Sequence, residues 1–253
     1  MPTDDYDQPF GLPDGEEFLE SLRRAFARQA PIGSEERFHP LGLTVAVSRE
    51  AGSRGGTIAR RVGRKLGWQV YNQELLEYLA QEKHLSRDLF DVLDDAAARW
   101  IEERLERLLK QQTLSQNANV IEVARVVLAI GARGEAVVLG RGAGCILTRE
   151  ATLNVRVIAP LNDRISYMSQ LERLTLDEAA QQVQLRDRQR STFIETHFHR
   201  SPSDVHQYDL VMNSSHLGED VSAQLIVHAV KAKLKARGDN VGPAVALGPE
   251  ALA

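Results

Sequence analysis

The chain has 253 residues, 43% of them hydrophobic and 26% charged, enough for one sizeable core with or without a smaller appendage. Its formal net charge of -4 excludes the basic excess of a general nucleic-acid binder, so a phosphate-bearing ligand has to be met by local clusters of arginine. The single cysteine, Cys145, excludes an internal disulfide and a cysteine-rich zinc site, and reads as a small buried residue in a reducing compartment.

Residues 1–40 read as a polar leader carrying one amphipathic helix, residues 16–29, with Phe18, Leu19, Leu22 and Phe26 at helical spacing. The acidic start lacks the basic and then apolar run of a signal peptide, and no apolar run approaches membrane-spanning length. A cytoplasmic protein with no membrane partner is the expectation. From residue 43 short apolar runs alternate with long helical ones, and strands are expected at 43–47, 69–71, 136–139, 153–159 and 209–212. Alternation of this kind predicts one α/β domain, residues 41–236, with a parallel sheet covered by helices on both faces.

The first strand runs into Gly52-Ser53-Arg54-Gly55-Gly56-Thr57 and then a helix with Ile58, Val62 and Leu66 on one face. The unpaired amides and positive dipole end of that helix favour an anion, and glycines let the main chain wrap it closely. Thr57 is expected to cap the helix or to help hold a magnesium ion. The usual phosphate loop, G-x-x-x-x-G-K-[ST], aims a lysine at the β- and γ-phosphates; here Gly55 or Gly56 stands in its place and Arg54 is the nearest cation. An ordinary glycine-bearing turn with Thr57 as a plain cap would use the same residues, but the βαβ context favours phosphate binding.

A helical insertion is expected over residues 73–132. Leu89, Leu93, Ala96 and Trp100 trace an apolar stripe with Ser86 as N-cap, while Glu103 with Arg107 and Glu106 with Lys110 mark a solvated face. Residues 120–130 are apolar nearly all round, which predicts an enclosed helix ended by Gly131 and Gly134. After the third strand, Gly140-Arg141-Gly142-Ala143-Gly144 brings Arg141 to the C-terminal edge of the sheet, where open α/β sheets bind ligands and where a planar guanidinium can grip a phosphate. A surface arginine in a mobile turn is the competing reading.

Thr175 and Glu178 form a capping box that opens a further helix, within a region spanning residues 170–205 that carries Arg186, Asp187, Arg188 and Arg190. Arg186 and Arg190 share one helix face and Arg188 points elsewhere. Such a segment, closing over a nucleotide, would exclude water and spread the charge of a transferring phosphoryl group; a charged surface helix end fits the spacing equally. His197 and His199, with one residue between them, do not have the spacing of a helical metal site and read as loop or packing residues. From residue 237 the chain turns to Gly, Pro and Ala without periodicity, which predicts a disordered tail over 237–253.

Taken together, the motifs at residues 47–59, 70–76, 137–143, 159–165 and 208–215 resemble the cytidylate kinase-like family, a branch of the P-loop nucleoside monophosphate kinases, over roughly residues 43–230. The resemblance implies a three-layer P-loop kinase-like fold with a helical monophosphate-binding insertion and an arginine-bearing lid. It implies transfer of the ATP γ-phosphoryl group to a (deoxy)cytidylate-type monophosphate, with Mg2+ accompanying ATP. By position, Gly52, Ser53, Arg54, Gly55, Gly56 and Thr57 would hold phosphate, with Thr57 toward the metal. Asn72, Gln73 and Arg141 would bind the acceptor, and Arg186, Asp187, Arg188 and Arg190 would form the lid. Arg54, Arg141, Arg186 and Arg190 would carry the charge of the reaction, with Arg164 and Arg173 as further candidates. Two positions depart from the pattern: Gly55 stands where the loop lysine is expected, and Gly142 where an aspartate follows the strand-end arginine. Both departures motivate a rival reading, a nucleotide-binding module without turnover that acts as a sensor or interaction protein; a pure interaction scaffold is a third. ATP and a nucleoside monophosphate are the expected partners, nucleic acid is not, and a homodimer through the insertion is open.

Overall fold

Five short strands rich in β-branched residues pair in register along the middle of the chain: β1 (Thr44–Arg49), β2 (Gln69–Tyr71), β3 (Ala136–Leu139), β4 (Thr152–Ile158) and β5 (Leu210–Asn213). The computed structural model describes residues 38–81 and 93–238. The strands form one wholly parallel sheet in the order β2-β3-β1-β4-β5, with Val45 opposite Val137 on one side and Leu153 on the other. All five expected strands are present, β2 and β3 with the expected bounds and β1, β4 and β5 with ends displaced by one or two residues.

Side-chain alternation sorts the strands onto two cores. Val45, Val47, Val137, Leu139, Val155 and Val157 face α1 (Gly55–Leu66) and α8 (Ser214–Arg237), where Ile58, Val62, Ile226 and Val230 are fully buried. Ala46, Tyr71 and Val138 face the opposite way, toward α2 (Gln73–Gln81), α3 (Asp95–Lys110) and α4 (Ala118–Arg133). Because both faces are covered, the strands read as nearly continuous apolar runs.

The helices account for most of the helical expectations and correct several details. The stretch that reads as apolar all round is α4, and Val126, Val127, Leu128, Ala129 and Ile130 are all buried. The helix runs through Gly131, which is close against Leu147, and stops at Gly134, whose positive φ of 72° supplies the C-cap; Gly131 does not end it. Ala96 and Trp100 belong to α3, which is capped by the Asp94 carboxylate on the Ala97 amide, so Leu93 precedes that helix, though it is buried in the same apolar cluster against which Ala96 and Trp100 pack. Ser86 and Leu89, the N-terminal amphipathic segment and the tail beyond 238 lie outside the described residues. A short helix, α5 (Ala143–Ile146), follows β3; α6 (Leu161–Glu172) follows β4; and α7 (Leu176–Phe198) opens with the expected Thr175–Glu178 capping box. His197 lies in the last turn of α7 in a packing role, sharing a 2.8 Å hydrogen bond with Ser115 Oγ, and His199 is the left-handed C-cap just past the helix, as loop or packing residues are expected to be. The helical run of α8 is interrupted at Gly218, where φ is 72°.

Strand order places the site. The chain leaves β1 for β2, beyond β3, and leaves β3 for β4, beyond β1, so its direction reverses between β1 and β3. The crevice outside the C-terminal ends of those two strands is the place where such sheets bind ligands.

Candidate functional site

β1 ends at Arg49, and the chain turns through residues 50–54 before α1 begins. The turn is held from below by hydroxyls. Buried Ser53 Oγ donates to the carbonyls of Glu50 at 2.9 Å and Val157 at 3.2 Å, and Ser214 Oγ donates to the Ser53 carbonyl at 2.7 Å. Gly52, at φ 76°, lies so close to Arg164 that a Cβ there would fall 2.6 Å from its carbonyl oxygen. Arg54 takes the left-handed conformation, φ 58°, and is the N-cap of α1. Thr57 therefore sits inside the helix, not at its cap, and its hydroxyl is 3.5 Å from Arg60 Nη2. The first amides of α1, at Gly55, Gly56 and Thr57, precede the point where an intrahelical carbonyl can serve them.

Beside this turn opens a cleft of about 660 Å3 under α7. Five guanidinium groups line it: Arg49 from the end of β1, Arg141 after β3, Arg156 on β4, and Arg186 and Arg190 on α7. The lining carboxylate is Glu74 of α2. Arg141, with φ 51°, pairs with Glu77 and stacks 4.7 Å over the Phe193 ring, while its Nε has no partner among the described residues. Arg156 donates to Ser48 Oγ at 2.7 Å and lies over Tyr208, whose hydroxyl is bonded to the Pro202 carbonyl at 3.0 Å. Arg190 Nη1 reaches the Arg49 carbonyl at 3.4 Å, and Arg186 pairs bidentately with Glu172 at 2.7 and 3.1 Å. Burial is the main force lowering the pKa values of Arg49, Arg141 and Arg190 from the ordinary arginine value, and like charge from Arg190 and Arg141 adds to it at Arg49. Two of the five are paired, Arg141 with Glu77 and Arg186 with Glu172, and Arg49 has no such carboxylate partner among the described residues. Burial likewise pushes the thiol of Cys145, which lines the same cleft, upward, so it has none of the character of an activated nucleophile.

The expected site residues divide by position. Arg141, Gln73, Arg186 and Arg190 meet in the cleft. Asn72 is buried instead and caps α2 through its Oδ1 on the Leu75 amide at 2.9 Å. Arg54 turns away, over the Tyr167 ring at 4.9 Å with Glu219 3.9 Å from its Nε, so its side chain does not line the cleft. Gly52, Ser53, Gly55, Gly56 and Thr57 form the turn that follows Arg49 and are not themselves on the lining of the cleft. Asp187 is a tether: its Oδ1 accepts from the Ala51 amide at 2.7 Å and its Oδ2 from Arg164 at 2.5 Å, and Arg164 also donates to the Ala51 carbonyl at 3.1 Å. Arg164 is accordingly a structural link between α6, α7 and the turn. Arg188 opens onto another side of α7, beside Thr192 and His197, and Arg173 is the left-handed C-cap of α6.

Two cleft arginines, Arg49 and Arg156, are not found by motif reading. A period-2 reading of β4 does contain Arg156, because Asn154 and Arg156 interrupt the apolar face opposite Leu153, Val155 and Val157. Gly142 bears on one departure: at φ 70°, a Cβ there would lie 2.2 Å from the Phe198 ring, so an aspartate behind Arg141 would be strained and would require that ring to move. Among the described residues no group of three or more acidic, histidine or cysteine side chains is arranged to cage a metal ion, and no helix is long and apolar enough to cross a membrane.

A five-stranded parallel sheet with helices on both faces and a ligand cleft at its reversal point is the α/β kinase-like fold. The profile of the cytidylate kinase-like family matches residues 44–216, and the chain belongs to that family. It is 25% identical over 197 residues to a cytidylate kinase from Methanopyrus kandleri, covering 77% of this chain and 96% of that one. In three dimensions it resembles an uncharacterised protein from Eubacterium ventriosum at 15% identity, TM-score 0.53, over 75% of this chain and 99% of the other. A shikimate kinase from Bacteroides thetaiotaomicron superposes with TM-score 0.41 at 13% identity, over 75% of this chain and 98% of that one.

Proposed function

We infer that the chain is a nucleoside monophosphate kinase-like phosphotransferase that moves the γ-phosphoryl group of ATP to a (deoxy)cytidylate-type monophosphate. The observation that carries this reading is the set of five arginines converging on one cleft in a chain of net charge -4, with Glu74 the acid on its lining. Two phosphorylated substrates with their reacting phosphates together are the ligand that such an excess of positive charge suits.

In this reading the leading amides of α1 at Gly55, Gly56 and Thr57, with the close-approaching Gly52, cradle the donor phosphates. Ser53 shapes that turn, and Arg54 contributes its backbone conformation. Gln73 and Arg141 receive the acceptor, and Arg186 and Arg190 are brought over both from α7. No side chain has to act as a strong base, because positioning and charge stabilisation dominate phosphoryl transfer. A divalent ion arrives with ATP in kinases of this family, and Mg2+ is the ion we assign. When bound, the ion would find Thr57 Oγ1, which accepts a long 3.5 Å contact from Arg60 Nη2, as the loop's own side-chain oxygen, since the nearby carboxylates Glu50 and Asp187 are both engaged by Arg164. That donor set matches an ion held mostly by phosphate oxygens and water, whose chemistry is to neutralise charge on the phosphates.

A coupled assay with ATP, Mg2+ and a panel of monophosphates, CMP first, tests the assignment. Turnover with at least one acceptor, reduced by two or more orders of magnitude in Arg141→Ala, is the expected result. ATP binding with no turnover for any acceptor would favour the rival, a nucleotide-binding module. The packing of Phe198 on Gly142, where an acid is expected, is the specific observation on that side.

A further inference from the structure

The absent loop lysine leaves a gap in charge exactly where a kinase of this kind needs it, and the geometry around Gly55 shows what fills it. A Cβ built on Gly55 would lie 2.6 Å from Arg49 Cβ, 3.1 Å from its Cγ and 3.6 Å from its Cδ. One on Gly56 would meet only Leu139, at 4.0 Å. The space into which a residue-55 side chain would grow is therefore occupied by the stem of Arg49. Its guanidinium continues toward the β3 turn, close enough that a Cβ on Gly140 would fall 2.5 Å from Nη1. Gly140 takes φ 86°, so both glycines flanking the arginine leave it room.

In the phosphate-loop pattern the first glycine precedes the lysine by six positions. With Gly55 in the lysine's place, that first position is Arg49. Counted back from Thr57 as the pattern's threonine, the lysine's place is Gly56 and the first position Glu50, so the choice of Gly55 rests on the contact of its Cβ position with the Arg49 stem and not on the count.

We propose that Arg49 is the phosphate-contacting cation of this site, delivered from the end of β1 through the space left by Gly55, in place of the missing loop lysine. The proposal rests on the phosphotransferase reading above and names the residue that reading lacks. None of the described residues gives the Arg49 guanidinium a hydrogen bond or ion pair, whereas Arg141 has Glu77 and Arg186 has Glu172. Its charge is thus held in reserve at the junction of the glycine turn, the Arg141 turn and Arg190. In transfer, an acceptor phosphate oxygen forms a bond to the γ-phosphorus while the bond from that phosphorus to the β,γ-bridging oxygen breaks. The bridging oxygen leaves with the electron pair as part of ADP, and the role assigned to Arg49, which lines the cleft, is to stabilise that charge.

Four variants and two readouts test it, phosphoryl transfer and equilibrium binding of ATP followed by calorimetry. Arg49→Met keeps the stem and removes the charge; kcat/KM should fall about 10²–10³-fold, with the acceptor KM little changed, and ATP affinity should fall at least about tenfold. Arg49→Lys should retain part of the activity. Gly55→Ala, at a position with an ordinary helical backbone, should act solely by displacing Arg49 and should lose activity in the same manner. Arg49→Gly combined with Gly55→Lys returns a cation to the same space from the other side, with Arg54 and Gly56 unchanged, and should recover at least about tenfold over Arg49→Gly alone. Arg49→Met with unchanged turnover and ATP affinity, in an active wild type, would overturn the proposal and leave the enzyme reading intact. A wild type that binds ATP without turnover still decides the matter: unchanged ATP affinity in Arg49→Met overturns it and a loss supports it. A wild type that neither binds ATP nor turns over defeats both.

Discussion

At the scale of single residues, the site is a collection of charges whose folded environment does not suit them. Burial lowers the pKa of Arg49, Arg141 and Arg190, which means that the folded protein carries their charge at a cost that an anionic ligand would relieve. Arg49→Met should accordingly raise the urea midpoint of the ligand-free protein while lowering activity. A variant less stable than wild type would show that the guanidinium has compensating contacts. Cys145 offers an independent probe of the same cleft. Its thiol pKa is raised by burial, so thiolate is scarce near pH 8 and accumulates only at higher pH. Alkylation by iodoacetamide should be slow at pH 8 compared with a free thiol, should accelerate as pH rises further than it does for that free thiol, and should be slowed by saturating ATP and CMP. Mass spectrometry of the Cys145 peptide measures all three. Arg141 was legible in the sequence because a strand end followed by glycines is a local signal. Arg49 was not, because counting along the loop leaves Gly55 and Gly56 equivalent, and only the folded contact of the Arg49 stem with Gly55 singles the residue out.

Among the elements, the contact that matters most is the tether between the glycine turn and α7. Asp187 joins the Ala51 amide to Arg164, and a small apolar cluster of Ala51, Met168, Ala179 and Val183 packs α6 and α7 against the turn. Asp187→Asn preserves an acceptor for Ala51 and loses the ion pair. Hydrogen exchange across α7 should increase, and the KM for nucleotide should rise several-fold with a smaller change in kcat. Unchanged exchange would show that the apolar cluster holds α7 unaided. Stability rests elsewhere, on α4: Ile130→Ala removes a fully packed side chain and should cost about 2–5 kcal/mol in the same unfolding measurement, leaving m unchanged. The strands, α4 and the Thr175 capping box were readable because each is specified by its own residues through periodicity or a reciprocal hydrogen bond. The start of α1 was not. Thr57 has the chemistry of a cap, yet the close approach of Gly52 to Arg164 and the left-handed Arg54 start the helix earlier.

For the molecule as a whole, strand order converts separate motifs into one site. Arg49, Arg141 and Arg156 belong to three different strand ends, and only the β3-β1-β4 adjacency, with Ser48 opposite Arg156, sets them around one crevice. Alternating strands and helices announced a parallel sheet, and the family resemblance supplied the kinase-like arrangement. The convergence of five arginines beneath α7 came from tertiary contact, which spacing along the chain does not encode. The same folding explains why Arg54, the most conspicuous cation of the glycine turn, faces Tyr167 and Glu219 instead. The most direct test of the account is a crystal structure of the protein with a non-hydrolysable ATP analogue and CMP. The account predicts triphosphate oxygens on the amides of Gly55, Gly56 and Thr57 and within hydrogen-bond distance of Arg49 and Arg190, with the CMP phosphate at Arg141. Phosphates bound outside the cleft, or a cleft left empty at saturating ligand, would contradict it.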